Sequence, residues 1–317
     1  MLIGLALAGL LPATVALAAP PLASELVKAS LYAESDTVAA GQTLWVDVHL
    51  AVAPGWHVYW KNPGDSGLPT EINWTLPGGF SAGPIVWPMP ERFQVGPIAN
   101  YGYAGDVDLL VPISAPAGLD PAASARLGAT VKYLVCEEIC IPGEAKLAFD
   151  LPPGAGTPDP AQAARFAAAR ARLPVAAPFA AHFIVESHDL RLLVPASALA
   201  GINRPAANFF PDADNVIDHS AEPRVEQRAD GLALVLPKSA NPSAVVPAAL
   251  DGVLVLRGAN GAPRGYQISA ALAPASTGDA GLMGWWQALA FAFLGGLVLN
   301  LMPCVFPILS LKVLGFA

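Results

Sequence analysis

Between two long apolar ends, the chain alternates apolar and polar residues in short runs. Residues 43–52 (TLWVDVHLAV) alternate as a half-buried strand does, and residues 56–60, 71–76, 107–113, 129–135 and 145–151 read the same way. Turns rich in Pro and Gly separate them, among them Asn62-Pro63-Gly64-Asp65 and Pro77-Gly78-Gly79. Short strands at this spacing predict a β-sandwich. The pattern breaks at 152–160 (PPGAGTPDP), and 161–173 (AQAARFAAARARL) is the one convincing soluble helix, a linker or packing helix. From about Pro178 strands resume at 182–186, 190–194, 231–236, 252–256 and 266–272, with Gly258-Ala259-Asn260-Gly261 as a hairpin turn. The expected fold is all-β: two tandem Ig-like sandwiches at 24–153 and 177–274, joined by a linker and helix at 154–176.

The apolar ends carry a different message. Residues 1–23 hold no charge, and Ala16-Leu17-Ala18 offers a small-residue cleavage site, so 1–19 read as a signal peptide for export. The positive start of such a signal is missing, which points to an upstream start or an atypical signal; an uncleaved anchor is the alternative, and Pro12 interrupts it. Residues 281–311 contain no charged residue over 31 positions, more than the roughly 20 needed to span a bilayer. Trp285-Trp286 at its start suits an interfacial aromatic belt. Residues 282–317 are therefore expected to begin a membrane domain whose remainder is absent. Residues of about 20–280 are expected to be exported and to lie outside the membrane that the second apolar segment enters.

Composition narrows the function classes. Of 317 residues 54% are hydrophobic and 13% charged, with a formal net charge of −8; nucleic-acid binding would need a basic stripe. The chain has three cysteines. Cys136 and Cys140 lie in the β region, within VKYLVCEEICIPGEAKLAF (131–149), and Cys304 lies in the membrane segment. If 136–140 were extended, the two Cα atoms would stand about 13 Å apart, whereas a disulfide needs about 4.4–6.8 Å. Residues 137–139 must therefore turn, which places both sulfurs at the tip of a hairpin or on a single helical turn. Glu137 and Glu138 oppose thiolate formation, which suits a pair that is attacked as a disulfide by a dedicated partner. Spacing alone leaves a structural bridge, a redox pair and a metal-binding pair open. Zinc would want four ligands, and no His or further Cys lies nearby in sequence.

Cys304 shifts the balance toward redox. It sits in Asn300-Leu301-Met302-Pro303-Cys304-Val305-Phe306-Pro307, where each proline removes a backbone donor. Broken backbone at membrane depth is tolerated where it is buried in protein or lines a cavity; a packing cysteine beside a proline kink is the plainer alternative. Residues 293–314 (FLGGLVLNLMPCVFPILSLKVL) resemble the first helix of the transmembrane electron-conducting domain of the DsbD family. Upstream, GWHVYWKNPGDSGLPT, NYGYAG and YLVCEEICIPGE are similar to the exported domain of its ScsB-like branch.

The resemblance, over about residues 30–317, implies a protein-disulfide reductase without organic cofactor or metal, located in the bacterial inner membrane with residues of about 20–280 in the periplasm. Cytoplasmic thioredoxin would reduce the membrane domain. Electrons would then pass to a periplasmic thioredoxin-like domain or protein, to the exported domain, and on to oxidised periplasmic proteins. By motif, Cys136 and Cys140 match the exported pair and Cys304 the first membrane cysteine. The C-x-x-x-C spacing is shorter than in the best-known branch. Trp56, Tyr59 and Trp60 resemble the strand beside the cysteines, and Phe93, Tyr101 and Tyr103 fall where the family has a capping loop. A copper-tolerance or metal-binding module and a structural Ig-like scaffold are the rival classes.

Cys304 carries the first prediction. Two interior prolines at roughly 3 kcal/mol each fit a cavity better than a lipid-facing helix. In the full-length protein in cells, Cys304→Ser should leave Cys136 and Cys140 oxidised without preventing membrane insertion. A pair that stays reduced, read by alkylation in whole cells, returns Cys304 to a packing role.

Overall fold

Side chains alternate along a strand and direct cross-strand partners share a face, so the register of the sheets decides which residues meet. The computed structural model describes residues 21–120, 122–202, 206–241, 244–258, 261–273 and 285–300. Residues through Leu272 make one compact unit and those from Ala273 a second.

Ten strands build the first half of the larger unit: β1 (Val27–Ala33), β2 (Thr43–Val52), β3 (His57–Gly64), β4 (Glu71–Thr75), β5 (Ser81–Ala82), β6 (Glu91–Val95), β7 (Ile98–Ala104), β8 (Asp106–Ser114), β9 (Ala125–Cys136) and β10 (Cys140–Leu151). One sheet runs β1-β2-β8-β5 and the other β10-β9-β3-β7-β6, with β4 also paired to β9. Val48, Leu50 and Leu109 of the first sheet pack against Val58, Trp60, Tyr101, Tyr103, Val131 and Val135 of the second. Each aliphatic side chain so buried stabilises the sandwich by about 1.5–3 kcal/mol relative to exposure.

The second half supplies β11 (Val175–Ala176), β12 (His182–Val185), β13 (Asp189–Pro195), β14 (Ala206–Pro211), β15 (Arg224–Arg228), β16 (Gly231–Pro237), β17 (Ala249–Arg257) and β18 (Arg264–Leu272). They form a single sheet in the order β14-β17-β18-β12-β13-β16-β15, with β11 beside β18. Its core is Phe183, Leu190, Leu192, Phe209, Leu234, Leu254 and Ile268.

Two stretches differ from the expectation. The turn expected at 62–65 is largely the end of β3, with an irregularity in its pairing between Tyr59 and Gly64. Buried Asn62 explains it: the amide donates to the Pro211 carbonyl at 2.8 Å, and its Oδ1 accepts from the Gly64 N–H at 3.0 Å. The region of Phe93, Tyr101 and Tyr103, where the resemblance implied a capping loop, forms the β6–β7 hairpin. Short, mixed-polarity strands such as ERFQV carry little periodic signal.

The Arg-rich helix (Ala163–Ala171) is present and docks on the outer face of the β1-β2-β8 sheet. Phe166 and Ala169 pack on Leu110. Arg165 lies 3.8 Å from the Tyr32 ring centre and 3.5 Å from Asp47 Oδ2, and Arg170 makes a two-pronged pair with Glu34 at 2.6 and 2.7 Å. Under it sits a cluster that the sequence reading did not find. Asp47, His49 and Asp108 place ligand-type atoms within 4.8 Å of one another. His49 Nδ1 lies 2.7 Å from Asp108 Oδ1, and Arg165 supplies a cation at 3.5 and 3.7 Å from the two carboxylates.

In the smaller unit, Trp285–Asn300 is a helix, exposed over residues 289–296. No helix among the described residues is long and apolar enough to cross a membrane. The expected signal peptide at 1–19 and Cys304 lie outside the described residues.

Asp47 makes stability depend on pH. Burial, reinforced by Asp108, pushes its carboxyl up to about 7. A raised carboxyl contributes stability below its unfolded value, near 4, and loses it as pH rises through the folded value. The melting temperature of wild type relative to Asp47→Asn should therefore fall by a few degrees between pH 5 and pH 8. A difference that stays flat across that window would show that Asp47 is ionised throughout.

Candidate redox site

Cys136 ends β9 and Cys140 begins β10, and the two are direct partners across the hairpin. They form a disulfide with Cα atoms 4.2 Å apart. The turn forced by the spacing is Glu137-Glu138-Ile139, closed by the Glu137 N–H donating to the Ile139 carbonyl at 3.2 Å. All three residues are exposed, Ile139 by 54%. The pair itself is asymmetric. Cys136 is 1% exposed, whereas Cys140 lies at the surface.

The ladder continues on the other side of β9, where His57 of β3 is the direct partner of Cys136. Cys140, Cys136 and His57 thus form one row across three strands, on one face. Tyr59, two residues along β3, lies on that face too, and its hydroxyl is 3.5 Å from Cys140 Sγ. With the sulfur bonded in a disulfide, only the phenol can donate there.

Tyr59 is completely buried and tightly held. The Asn100 amide donates to its oxygen at 3.3 Å, and Ser66 Oγ donates to Asn100 Oδ1 at 2.9 Å. Gly67, with φ +98°, lies against the ring; a Cβ there would fall 2.2 Å from two ring carbons. Gly102, the direct partner of Tyr59 on β7, leaves no room for a side chain, since its Cβ would stand 1.9 Å from the Val58 carbonyl oxygen. Burial raises the Tyr59 phenol above its ordinary range, so it stays protonated as a donor.

Phe93 of β6 is the partner of Asn100 and stacks on His57, ring centres 4.6 Å apart and planes 6° from parallel. Among the candidates named from sequence, the structure therefore brings Tyr59 and Phe93 to the cysteine face. Trp60, Tyr101 and Tyr103 have the opposite parity and point into the core between the sheets. Trp60 and Tyr101 both meet Phe210 edge-on, and the Tyr103 hydroxyl donates to the Pro88 carbonyl at 2.9 Å.

His57, Asn100, Ser66 and Gly67 went unnoticed in the sequence. For His57 a signal existed: period-2 alternation puts it, rather than Trp56, on the face of Tyr59. The same face continues into a groove of about 410 Å³ lined by Leu68, Pro69, Leu134 and Pro142, with Glu71, Lys132 and Glu144 at its polar edge. Leu134 and Pro142 are direct partners, two residues down the hairpin from the cysteines.

These placements separate two kinds of aromatic. Phe93→Ala should speed reduction of the disulfide by dithiothreitol severalfold while the protein stays folded. Tyr103→Phe should cost about 1 kcal/mol of stability through its lost hydrogen bond and leave that rate unchanged. Equal dithiothreitol kinetics in wild type and Phe93→Ala would remove Phe93 from the site.

Residues 25–152 match the family model of the N-terminal region of thiol:disulfide interchange protein DsbD. No curated protein matches the sequence. Among solved structures, the N-terminal periplasmic domain of ScsB from Proteus mirabilis superposes with a TM-score of 0.55 at 20% identity, over 78% of this chain and 94% of that one. That likeness is one of fold, and it takes in both β regions. The reduced N-terminal domain of DsbD from Neisseria meningitidis has 12% identity over 42% of this chain and 89% of that one. Its TM-score of 0.24 adds nothing to the fold assignment. With its cysteine pair inside the matched region, residues 25–152 of this chain form a domain of the DsbD N-terminal family.

Proposed function

We propose that this chain is the exported part of a protein-disulfide reductase. On this reading it passes electrons from a membrane thiol conduit, by way of a periplasmic thioredoxin-like partner, to oxidised periplasmic proteins. Residues 24–153 form the redox-active Ig-like domain and 177–274 a second one. Residues 1–19 are its export signal, and 282–317 open an inner-membrane domain in which Cys304 takes electrons that start from cytoplasmic thioredoxin. The exchange needs no organic cofactor or metal, because the sulfurs of Cys136 and Cys140 carry both electrons.

The observation that carries this reading is the unequal burial of the pair. A bridge across a three-residue turn constrains the unfolded chain little, which weakens a purely structural role. Leaving one sulfur at an exposed tip and the other under a packed sheet divides the labour of exchange. A partner thiolate reaches Cys140 Sγ, and Cys136 leaves as the buried thiolate. In the other direction, Cys140 attacks a substrate disulfide and Cys136 resolves the mixed disulfide. The apolar groove beside the hairpin offers a partner contact area next to the reacting sulfur.

Two measurements test it. Equilibrated in glutathione buffers and quenched with an alkylating agent, the pair should open at potentials above about −300 mV; a bond still closed below that value behaves as structural. Cys136→Ser should accumulate a stable mixed disulfide through Cys140 with an oxidised thioredoxin-fold probe, and Cys140→Ser should not. The reverse pattern would make Cys136 the exchanging sulfur.

A further inference from the structure

His57 is the polar side chain whose surroundings the exchange reading leaves unexplained. It is 3% exposed, and its Nε2 is buried with no hydrogen-bond partner. A buried polar atom left unsatisfied costs about 1–3 kcal/mol, so an apolar residue of similar shape would serve packing better. Phe93 covers one face of the ring and Tyr59 meets it edge-on at 5.2 Å. His57 is also the direct cross-strand partner of Cys136, a relation that sets Cβ atoms about 4.5–5.5 Å apart.

Cys136 has a chemical need that this position meets. When the pair is reduced, its thiol sits where burial favours the neutral form, yet only the thiolate attacks a disulfide. We propose that His57 is the proton acceptor for Cys136, taking its thiol proton as the mixed disulfide is resolved. This inference rests on the exchange function proposed above.

The step balances as follows. The starting state is a Cys136 thiol beside a Cys140–partner disulfide. A ring nitrogen of neutral His57 takes the thiol proton, and the Cys136 sulfur attacks Cys140 Sγ. The Cys136–Cys140 bond forms as the Cys140–partner bond breaks, and the electron pair leaves on the partner sulfur. The partner thiolate is reduced, the cysteine pair is oxidised, and the proton on His57 passes to the released thiolate or to water. Run backwards, the imidazolium protonates the leaving Cys136 thiolate.

The surroundings keep His57 neutral and ready to accept. Burial holds its basicity below the ordinary value. On its own strand the titratable neighbour is the neutral Tyr59 phenol. Across β9 and β10 stand the two cysteines, and from the hairpin tip Glu137 leans over Gly55. On β7 its partner is Ala104, and Phe93 on β6 carries no charge.

The test follows closure of the reduced pair in the full chain, from pH 5 to pH 9. Oxidised glutathione is kept high enough that the rate no longer depends on its concentration, so that resolution of the Cys140–glutathione mixed disulfide is the step observed. In wild type the rate should hold level down to a break below pH 6.5, where His57 takes up a proton and can no longer accept one. In His57→Phe, which keeps a ring to stack on Phe93, the rate should be at least about tenfold lower at pH 7, within the usual range for general-base catalysis. It should then rise tenfold per pH unit and converge on wild type near pH 9. His57→Gln should follow the Phe variant, because an amide hydrogen-bonds without accepting the proton.

Parallel profiles for wild type and variants, or full rescue by Gln, would overturn the assignment and reduce His57 to a packing residue. So would a wild-type profile without the low-pH break, a reading that holds even where a variant folds poorly. A wild-type pair that does not exchange with glutathione at all would instead sink the exchange function itself.

Discussion

Strand β9 is the member on which the rest of the arrangement hangs. It pairs with β10 along twelve residues, and with β3 and β4 along its other edge. Because direct partners share a face, that ladder places Cys140 on one side of Cys136 and His57 on the other. A slip of one residue in either pairing would turn the reacting groups to opposite faces. Register is pinned where side chains on one face are buried, and the inward-facing Val131 and Val135 of β9 do this against Val58 and Trp60.

The second β region contributes to the site by bracing the strands that carry it. Asn62 at the end of β3 donates to Pro211 and Ala213 carbonyls, and Lys61 pairs with Asp212 at 2.7 Å. Arg92 on β6 donates to the carbonyls of His219 and Ser220. The strands so braced carry Tyr59 and His57 on the one hand and Phe93 on the other. Phe210 meets Trp60 and Tyr101 from outside the sandwich, so this contact is apolar as well as hydrogen-bonded. The sheet acts as a buttress that fixes the side chains around the disulfide, a role that a freely jointed spacer would not fill.

The Arg-rich helix is a second case of charge settled by packing. Its arginines answer Glu34, Asp47 and Asp108 on the sheet beneath. Burying Asp47 is costly by itself, and Arg165 together with a raised proton affinity offsets that cost. The helix covers the sheet face opposite the inter-sheet core, away from the row of cysteines.

The sequence alone was enough for the all-β class, the turn that brings Cys136 to Cys140, and the family resemblance that the match over residues 25–152 supports. The first two follow from local rules, namely period-2 alternation, Pro and Gly punctuation, and a spacing too long for an extended chain to bridge, and the third rests on motifs such as YLVCEEICIPGE. Alternation along β3 also held the parity of Tyr59 and Trp60, although the resemblance by itself put both at the site. What tertiary structure decided was which residues meet across strands distant in sequence. His57 and Cys136 are 79 positions apart, and Tyr59 and Cys140 are 81. The unequal burial of two cysteines only four residues apart depends equally on what packs over them. No local pattern encodes a register between distant strands, because it is selected by the summed burial of the whole face.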